Sequence, residues 1–121
     1  MTCLRQAGEN LLLIIKDDAE LLLKLIGEYD FQSFVNDEKM KLAASMSLIN
    51  VGESVKSLSE DLKQMYPDVR WSSITGLRNI AAHKYHALRM VDIWEIVTKD
   101  IPVLLEQVKG ILCAEGVEKG E

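Results

Sequence analysis

The stretch that decides the fold is LLLIIKDDAELLLKLI, residues 11–26. Its apolar residues recur every three or four positions, which is typical of an amphipathic helix and not of a half-buried strand. The pattern predicts a first helix from Cys3 to Gly27, with an inward stripe of Leu4, Leu11, Ile15, Leu22 and Ile26. No stretch of useful length alternates between apolar and polar residues, so the sequence predicts an all-α fold.

This first helix carries more apolar surface than one face of a small bundle can bury. Further apolar residues occupy most of its circumference: Leu12, Leu13, Ile14, Leu21, Leu23 and Leu25. A second copy of the chain would cover the surplus, and so would a central position within the chain's own bundle. We favour the first explanation and expect a homodimer.

The remaining pattern predicts a short helical turn and three more helices. Asp30 is a candidate N-cap for the turn, which would insert Phe31 or Phe34 into the core. The helices are expected from Asp37 to Met65, from Trp71 or Ser72 with a serine N-cap, and from Arg89 or Met90 to Cys113. Together they predict an up-and-down four-helix bundle with one extra turn.

Single residues within these helices predict local features. The inward stripe of the second long helix is expected to be Leu42, Met46, Ile49, Val55, Leu58, Leu62 and Met65. Gly52 interrupts it and indicates a close crossing with a neighbouring helix. Pro67 should end this helix, and Pro102 should kink the last one, because proline lacks a backbone donor and its ring displaces the preceding turn.

Length and composition fit one helical domain. The 121 residues predict a single domain over residues 4–113 and a disordered acidic tail over 114–121. A net charge of −5 argues against a protein that coats nucleic acid with its whole surface. The spacing of Cys3 and Cys113 indicates neither a metal site nor a disulfide, and no signal peptide or membrane span is evident. We expect a cytoplasmic protein without metal or cofactor.

One segment reverses the overall acidity of the chain. No acidic residue lies between Asp68 and Asp92, and the segment contains six basic side chains: Arg70, Arg78, His83, Lys84, His86 and Arg89. A local anion site and a chance cluster of surface cations both explain this distribution.

Within that segment, the pattern Arg-x4-His-x-Tyr unites Arg78, His83 and Tyr85. A permanent cation and an imidazole suit phosphate esters, although a solvated face with a capping histidine has the same spacing. Asn79 precedes His83 by four residues, so on a helix it can orient the imidazole. Because they are five residues apart, Arg78 and His83 point about 140° away from each other around an ideal helix. A cleft formed between two chains therefore suits this pair better than a cleft within one chain.

RNA is the substrate that this chemistry favours. His83 would act as general acid or base, and Arg78 would hold the non-bridging oxygens. The 2′-hydroxyl supplies an internal nucleophile, so cleavage needs no metal.

At these residues the chain resembles the HepT-like family of the HEPN superfamily. The similar segments follow one another in the family's order: residues 50–59, 66–71, 76–79, 83–85, 92–97 and 100–104. The resemblance extends over about residues 4 to 110. The chain departs from the family pattern at Lys84, His86 and Arg89, where family members usually have a glycine, an aromatic residue and an acidic N-cap.

The resemblance implies a homodimeric, metal-independent endoribonuclease that is the toxin of a type VII-like toxin–antitoxin system. It implies that Arg78 and His83 are catalytic, that Asn79 supports them, and that Tyr85 accepts AMP from a minimal nucleotidyltransferase antitoxin. Arg70, Lys84, His86 and Arg89 are expected to contact RNA phosphates. The alternative is a non-catalytic helical module that binds nucleotide or RNA and docks a nucleotidyltransferase.

Overall fold

The structure, a computed structural model, describes the backbone of residues 2–76 and 90–116 and the side chains of residues 7–76 and 90–116. Across these ranges the chain forms helices and no strand, which confirms the all-α class. In chain order the elements are α1 (Thr2–Ile26), α2 (Phe31–Val35), α3 (Glu38–Lys56), α4 (Glu60–Met65), α5 (described over residues 71–76), α6 (Met90–Glu95), a π-helical segment (Ile96–Asp100) and α7 (Ile101–Ala114). The four-helix arrangement and the homodimer stay predictions.

Helix α1 matches its predicted span to within one residue at each end. It packs against α3 and α7. The side chains that it buries are Leu12, Ile15, Ala19, Leu22 and Ile26. Leu11 was expected in this stripe, but it is only half-buried and Leu12 faces the core instead.

Helix α2 forms the predicted short turn. The backbone N–H of Ser33 donates to the Asp30 carboxylate at 2.8 Å, and the Asp30 N–H donates to the Ser33 hydroxyl oxygen at 2.9 Å. This reciprocal capping stabilises a helix of only five residues. Phe34 is fully buried, and its ring centroid lies 5.2 Å from that of Trp94 in α6.

The prediction of one helix from Asp37 to Met65 is wrong, because the helix is interrupted between α3 and α4. The break lies at Ser57–Ser59, where the Ser59 hydroxyl accepts the N–H of Leu62 at 3.2 Å and caps α4. Serine favours such caps because its hydroxyl competes for backbone groups. Leu58 between the two serines is buried, so the break places an apolar anchor in the core. Helix α4 ends at Met65 before Pro67, as predicted.

The predicted inward stripe of this region is wrong in part, because Val55 and Leu58 are buried but three other members are exposed. Leu42, Met46 and Met65 are 53%, 49% and 63% exposed. The apolar residues that α3 buries are Met40, Ala44, Leu48, Val51 and Val55. The prediction followed the largest apolar side chains, whereas the true stripe passes through Ala44, whose small side chain suits close packing. Gly52 is buried as well.

The last helix was predicted closely, and its irregularity precedes Pro102. The elements α6, the π-helical segment and α7 follow without a break from Met90 to Ala114. The N–H of Ile101 donates to the carbonyl oxygen of Ile96, five residues earlier. Because Pro102 has no N–H for the carbonyl of Thr98, a widened turn at this place accommodates the proline.

Candidate functional site

Of the predicted site residues, only Arg70 lies within the part of the chain that the structure describes. The others lie outside the described residues: Arg78, Asn79, His83, Lys84, Tyr85, His86 and Arg89. Their proposed roles stay predictions. Residues 117–121 of the predicted tail also lie outside the described residues.

Arg70 lines an open cleft of about 630 Å³ between α4 and the start of α5. Helix α5 begins at Trp71, so the predicted serine N-cap is wrong. Arg70 precedes the helix, and its carbonyl accepts the N–H of Ile74 at 3.1 Å. The residues that line the cleft are Glu60, Lys63, Gln64, Pro67, Val69, Arg70, Trp71, Ser72, Ser73 and Thr75.

Trp71 holds the two walls of this cleft together. Its indole N–H donates to the carbonyl oxygen of Lys63 at 3.1 Å and to that of Tyr66 at 3.0 Å. Both carbonyls belong to the last turn and C-cap of α4. Each also accepts a backbone N–H at 3.3 Å, from Tyr66 to the Lys63 carbonyl and from Val69 to the Tyr66 carbonyl. Trp71 is 8% exposed, so its ring packs in the core and is not a surface for base stacking.

The loop that connects α4 to α5 is also fixed against α7. The Tyr66 hydroxyl donates to the carboxylate of Glu115, and the Gln107 side-chain amide donates to the carbonyl oxygen of Asp68 at 3.3 Å. These contacts join residues that are 49 and 39 positions apart. Sequence reasoning missed Gln107 and Glu115, since neither belongs to a local pattern. The cleft therefore rests on a loop with long-range support.

The charged groups of the cleft favour an anion. Arg70 is exposed, and no acidic side chain among the described residues pairs with it. The Lys63 ammonium lies 3.9 Å from a carboxylate oxygen of Glu60, at the outer limit of an ion pair. Ser72 and Ser73 are exposed in the first turn of α5, and no hydrogen bond to their hydroxyls is found in the described ranges. The cleft thus offers two cations and two hydroxyl donors.

A second feature is an exposed apolar face on α1. Ile14, Leu21 and Leu25 are 48%, 54% and 47% exposed and lie within about 40° of one another around the helix axis. Asp18 lies on the same side, where burial raises the pKa of its carboxyl and the neighbouring Asp17 raises it further. We call Ile14, Leu21 and Leu25 the α1 face. Its exposure means that the chain's own bundle leaves these three side chains uncovered.

The described residues show neither a membrane-spanning helix nor a cluster of metal ligands. No helix in residues 2–76 or 90–116 combines the length and the apolar character of a membrane span. No group of three or more His, Cys, Asp or Glu side chains in that part of the chain is arranged to hold a metal ion.

Comparison with known proteins places this small all-helical chain in a family. The family model described as "Ribonuclease HepT-like" matches residues 15–111. The chain is 35% identical over 101 residues to the "Putative RNase" of Caldanaerobacter subterraneus subsp. tengcongensis, which covers 84% of this chain and 90% of the relative. It is 29% identical over 90 residues to the "Probable ribonuclease HepT" of Thermococcus cleftensis, covering 74% and 82% of the two chains.

These matches confirm the resemblance that the sequence motifs carry. The protein belongs to the ribonuclease HepT-like family. A "Putative RNase" of Methanocaldococcus jannaschii is also similar, with 28% identity over 95 residues, or 78% of this chain and 87% of the relative. No solved structure matches the chain significantly.

Proposed function

We propose that the protein is a metal-independent endoribonuclease and the toxin of a type VII-like toxin–antitoxin system. Membership of the ribonuclease HepT-like family carries the proposal, and the names of relatives described as RNases support it. The Arg78-x4-His83 pair supplies side chains that suit the reaction. The cation-lined cleft, which immediately precedes this pair in sequence, supports an anionic substrate.

The proposed reaction is an internal transfer at one phosphodiester of RNA. The His83 imidazole removes the proton of a 2′-hydroxyl, whose oxygen attacks the adjacent phosphorus. The bond to the 5′-oxygen breaks, and that oxygen takes up a proton from a protonated imidazole. The products are a 2′,3′-cyclic phosphate and a 5′-hydroxyl. Arg78 stabilises the negative charge that builds on the non-bridging oxygens, and Asn79 orients His83.

We place this site at the interface of a homodimer. Arg78 and His83 diverge by about 140° on one ideal helix, so two chains combine them at one phosphorus more easily than one chain does. The exposed α1 face supports self-association, because a second copy would cover three large apolar side chains that the monomer leaves in water.

Neutralisation follows from AMP transfer to Tyr85 by a nucleotidyltransferase antitoxin. The added nucleotide places bulk and negative charge two residues from His83, where an RNA phosphate must bind. Co-expression with the antitoxin should therefore add the mass of AMP to the peptide that contains Tyr85, and Tyr85→Phe should prevent both the mass change and the neutralisation. A neutralised complex with an unmodified Tyr85 peptide would contradict this mode of control.

The test of the nuclease is cleavage of RNA in excess EDTA by purified wild-type protein and variants. Arg78→Ala and His83→Ala should abolish cleavage, whereas His86→Ala, which removes the chain's other histidine, should still cleave at saturating RNA. Cleavage that survives Arg78→Ala and His83→Ala would overturn the assignment. Harmless expression in cells together with tight binding of the nucleotidyltransferase would favour the non-catalytic module instead.

A further inference from the structure

The cleft between α4 and α5 has the composition of a binding site for the RNA strand away from the cut. Its volume of about 630 Å³ is within the range of roughly 300–1,000 Å³ that is typical of sites for small organic ligands. Its lining combines Lys63 from α4 with Arg70, Ser72 and Ser73 from the loop and the first turn of α5. Cations and hydroxyl donors are the groups that bind phosphate oxygens in protein–nucleic acid contacts.

The two cations differ in how freely they can reach a ligand. Arg70 is exposed and has no acidic partner in the described part of the chain. The Lys63 side chain is only 15% exposed, so most of its stem is packed against the protein. A largely buried lysine and an exposed arginine in one cleft fit a phosphodiester, because the lysine provides a point charge and the guanidinium can bind two oxygens at once.

Among the described side chains that line the cleft, Glu60 is the one acidic residue. Its side chain is 81% exposed, and its carboxylate lies 3.9 Å from the Lys63 ammonium. Its negative charge therefore weakens anion binding at Lys63, although the carboxylate does not fill the cleft. An arriving phosphate replaces this long, solvated ion pair with a direct contact to Lys63. Removal of the Glu60 charge should therefore strengthen anion binding.

The wall of the cleft is rigid, which favours binding without rearrangement. The Trp71 indole bonds to the carbonyls of Lys63 and Tyr66, and the Thr75 hydroxyl donates to the carbonyl of Trp71 at 3.1 Å. The backbone that carries both cations is thereby fixed before a ligand arrives. Less conformational entropy is lost on binding to such a surface.

We propose that this cleft binds a backbone phosphate of the single-stranded RNA substrate outside the position of cleavage, with Lys63, Arg70, Ser72 and Ser73 as its contacts. The identification of the ligand as RNA rests on the proposed function. A strand fits better than a free nucleotide because the cleft is open to solvent, and because Ser73 precedes Arg78 by only five residues in the chain.

The test measures binding of a fluorescent 2′-O-methyl RNA oligonucleotide, which has no free 2′-hydroxyl and is not cut. Arg70→Ala and Lys63→Met should each weaken binding by about three- to tenfold at low salt. Each should also reduce the slope of log Kd against log salt by about 0.7, the value for one lost phosphate contact on a single strand. Lys63→Met keeps the packed stem, so its effect reports on the charge.

The matched control is Lys24→Ala, which removes one charge from an exposed lysine at the far end of α1. A Cβ at Gly8 would lie 3.3 Å from Leu62 of α4, and Lys24 is 16 residues further along the helix, about 24 Å away. Binding should be unchanged in Lys24→Ala and tighter in Glu60→Gln. AMP, which offers a phosphate without a strand, should compete only weakly.

The outcomes separate this inference from the proposed function. If unmodified RNA is cleaved but the Lys63 and Arg70 variants bind like Lys24→Ala, the cleft is not part of the RNA site. If those variants bind poorly and the wild-type protein does not cleave unmodified RNA, the cleft binds RNA and the nuclease assignment fails. Absence of oligonucleotide binding by the wild-type protein, or displacement by AMP at equal concentration, overturns the inference.

Discussion

The indole nitrogen of Trp71 donates a hydrogen bond to the carbonyl oxygen of Lys63 at 3.1 Å. This bond crosses the cleft wall and joins the first residue of α5 to the last turn of α4. The same N–H also donates to the carbonyl of Tyr66 at 3.0 Å, so one side chain bonds to two carbonyls at the end of a helix. The backbone of Lys63 is thereby tied to the residue that follows Arg70, and both cations line the cleft.

Trp71→Phe should lower the free energy of unfolding, because it leaves both carbonyls without the indole donor. Both carbonyls keep a backbone donor, so the expected loss is about 0.5–1.5 kcal/mol, measured by urea denaturation. Trp94→Phe is the matched control, since Trp94 packs against Phe34 and contributes ring contacts to a different part of the fold. Equal oligonucleotide affinity in the two variants would show that the indole bonds do not position the cleft.

Leu48→Ala and Leu42→Ala test which side of α3 faces the core. Leu48 is fully buried, so its truncation should cost about 2–5 kcal/mol. Leu42 is 53% exposed, and its truncation should change stability by less than about 0.5 kcal/mol. Similar costs for the two variants in urea denaturation would contradict the observed orientation of α3.

The carboxyl of Asp18 should make stability depend on pH. Burial, followed by the charge of Asp17, raises its folded-state pKa above the ordinary value of 3.8. Between these two pKa values the folded state binds more protons than the unfolded state, so stability falls as pH rises through this window. Asp18→Asn should therefore stabilise the protein at neutral pH, and this gain should shrink as pH falls toward 3.8. Urea titrations at one protein concentration measure it, and a gain that is independent of pH would contradict the origin in charge.

The α1 face should control self-association. Leu21→Lys adds a charge at its centre and should shift the protein from dimer to monomer in light scattering, with loss of RNA cleavage. Leu42→Lys adds the same charge to an equally exposed leucine on α3 and should remain dimeric. If both variants stay dimeric, the two chains associate through another surface.

Periodicity predicted the long terminal helices well, because α1 and α7 bury continuous apolar stripes. It failed between α3 and α4, where Val55, Leu58 and Leu62 keep helical spacing across a break. The overlooked signal was Ser59 followed by Glu60 and Asp61, a capping serine before two acids that favour a helix N-terminus.

The site was only partly accessible to sequence reasoning. Arg70 was found because it lies in a segment without acids. Lys63 was missed, since its place in the same cleft as Arg70 depends on the bonds of Trp71 and on the loop held by Gln107 and Glu115. Such long-range contacts leave no local pattern in the chain.

The most direct measurement is the digestion in excess EDTA of one oligonucleotide in two forms, as RNA and as its 2′-O-methyl counterpart, with products identified by mass. The wild-type protein should cut only the RNA and leave a 2′,3′-cyclic phosphate, because the 2′-hydroxyl is the proposed nucleophile. Intact RNA in EDTA, or cleavage of the 2′-O-methyl strand, would contradict the proposed mechanism.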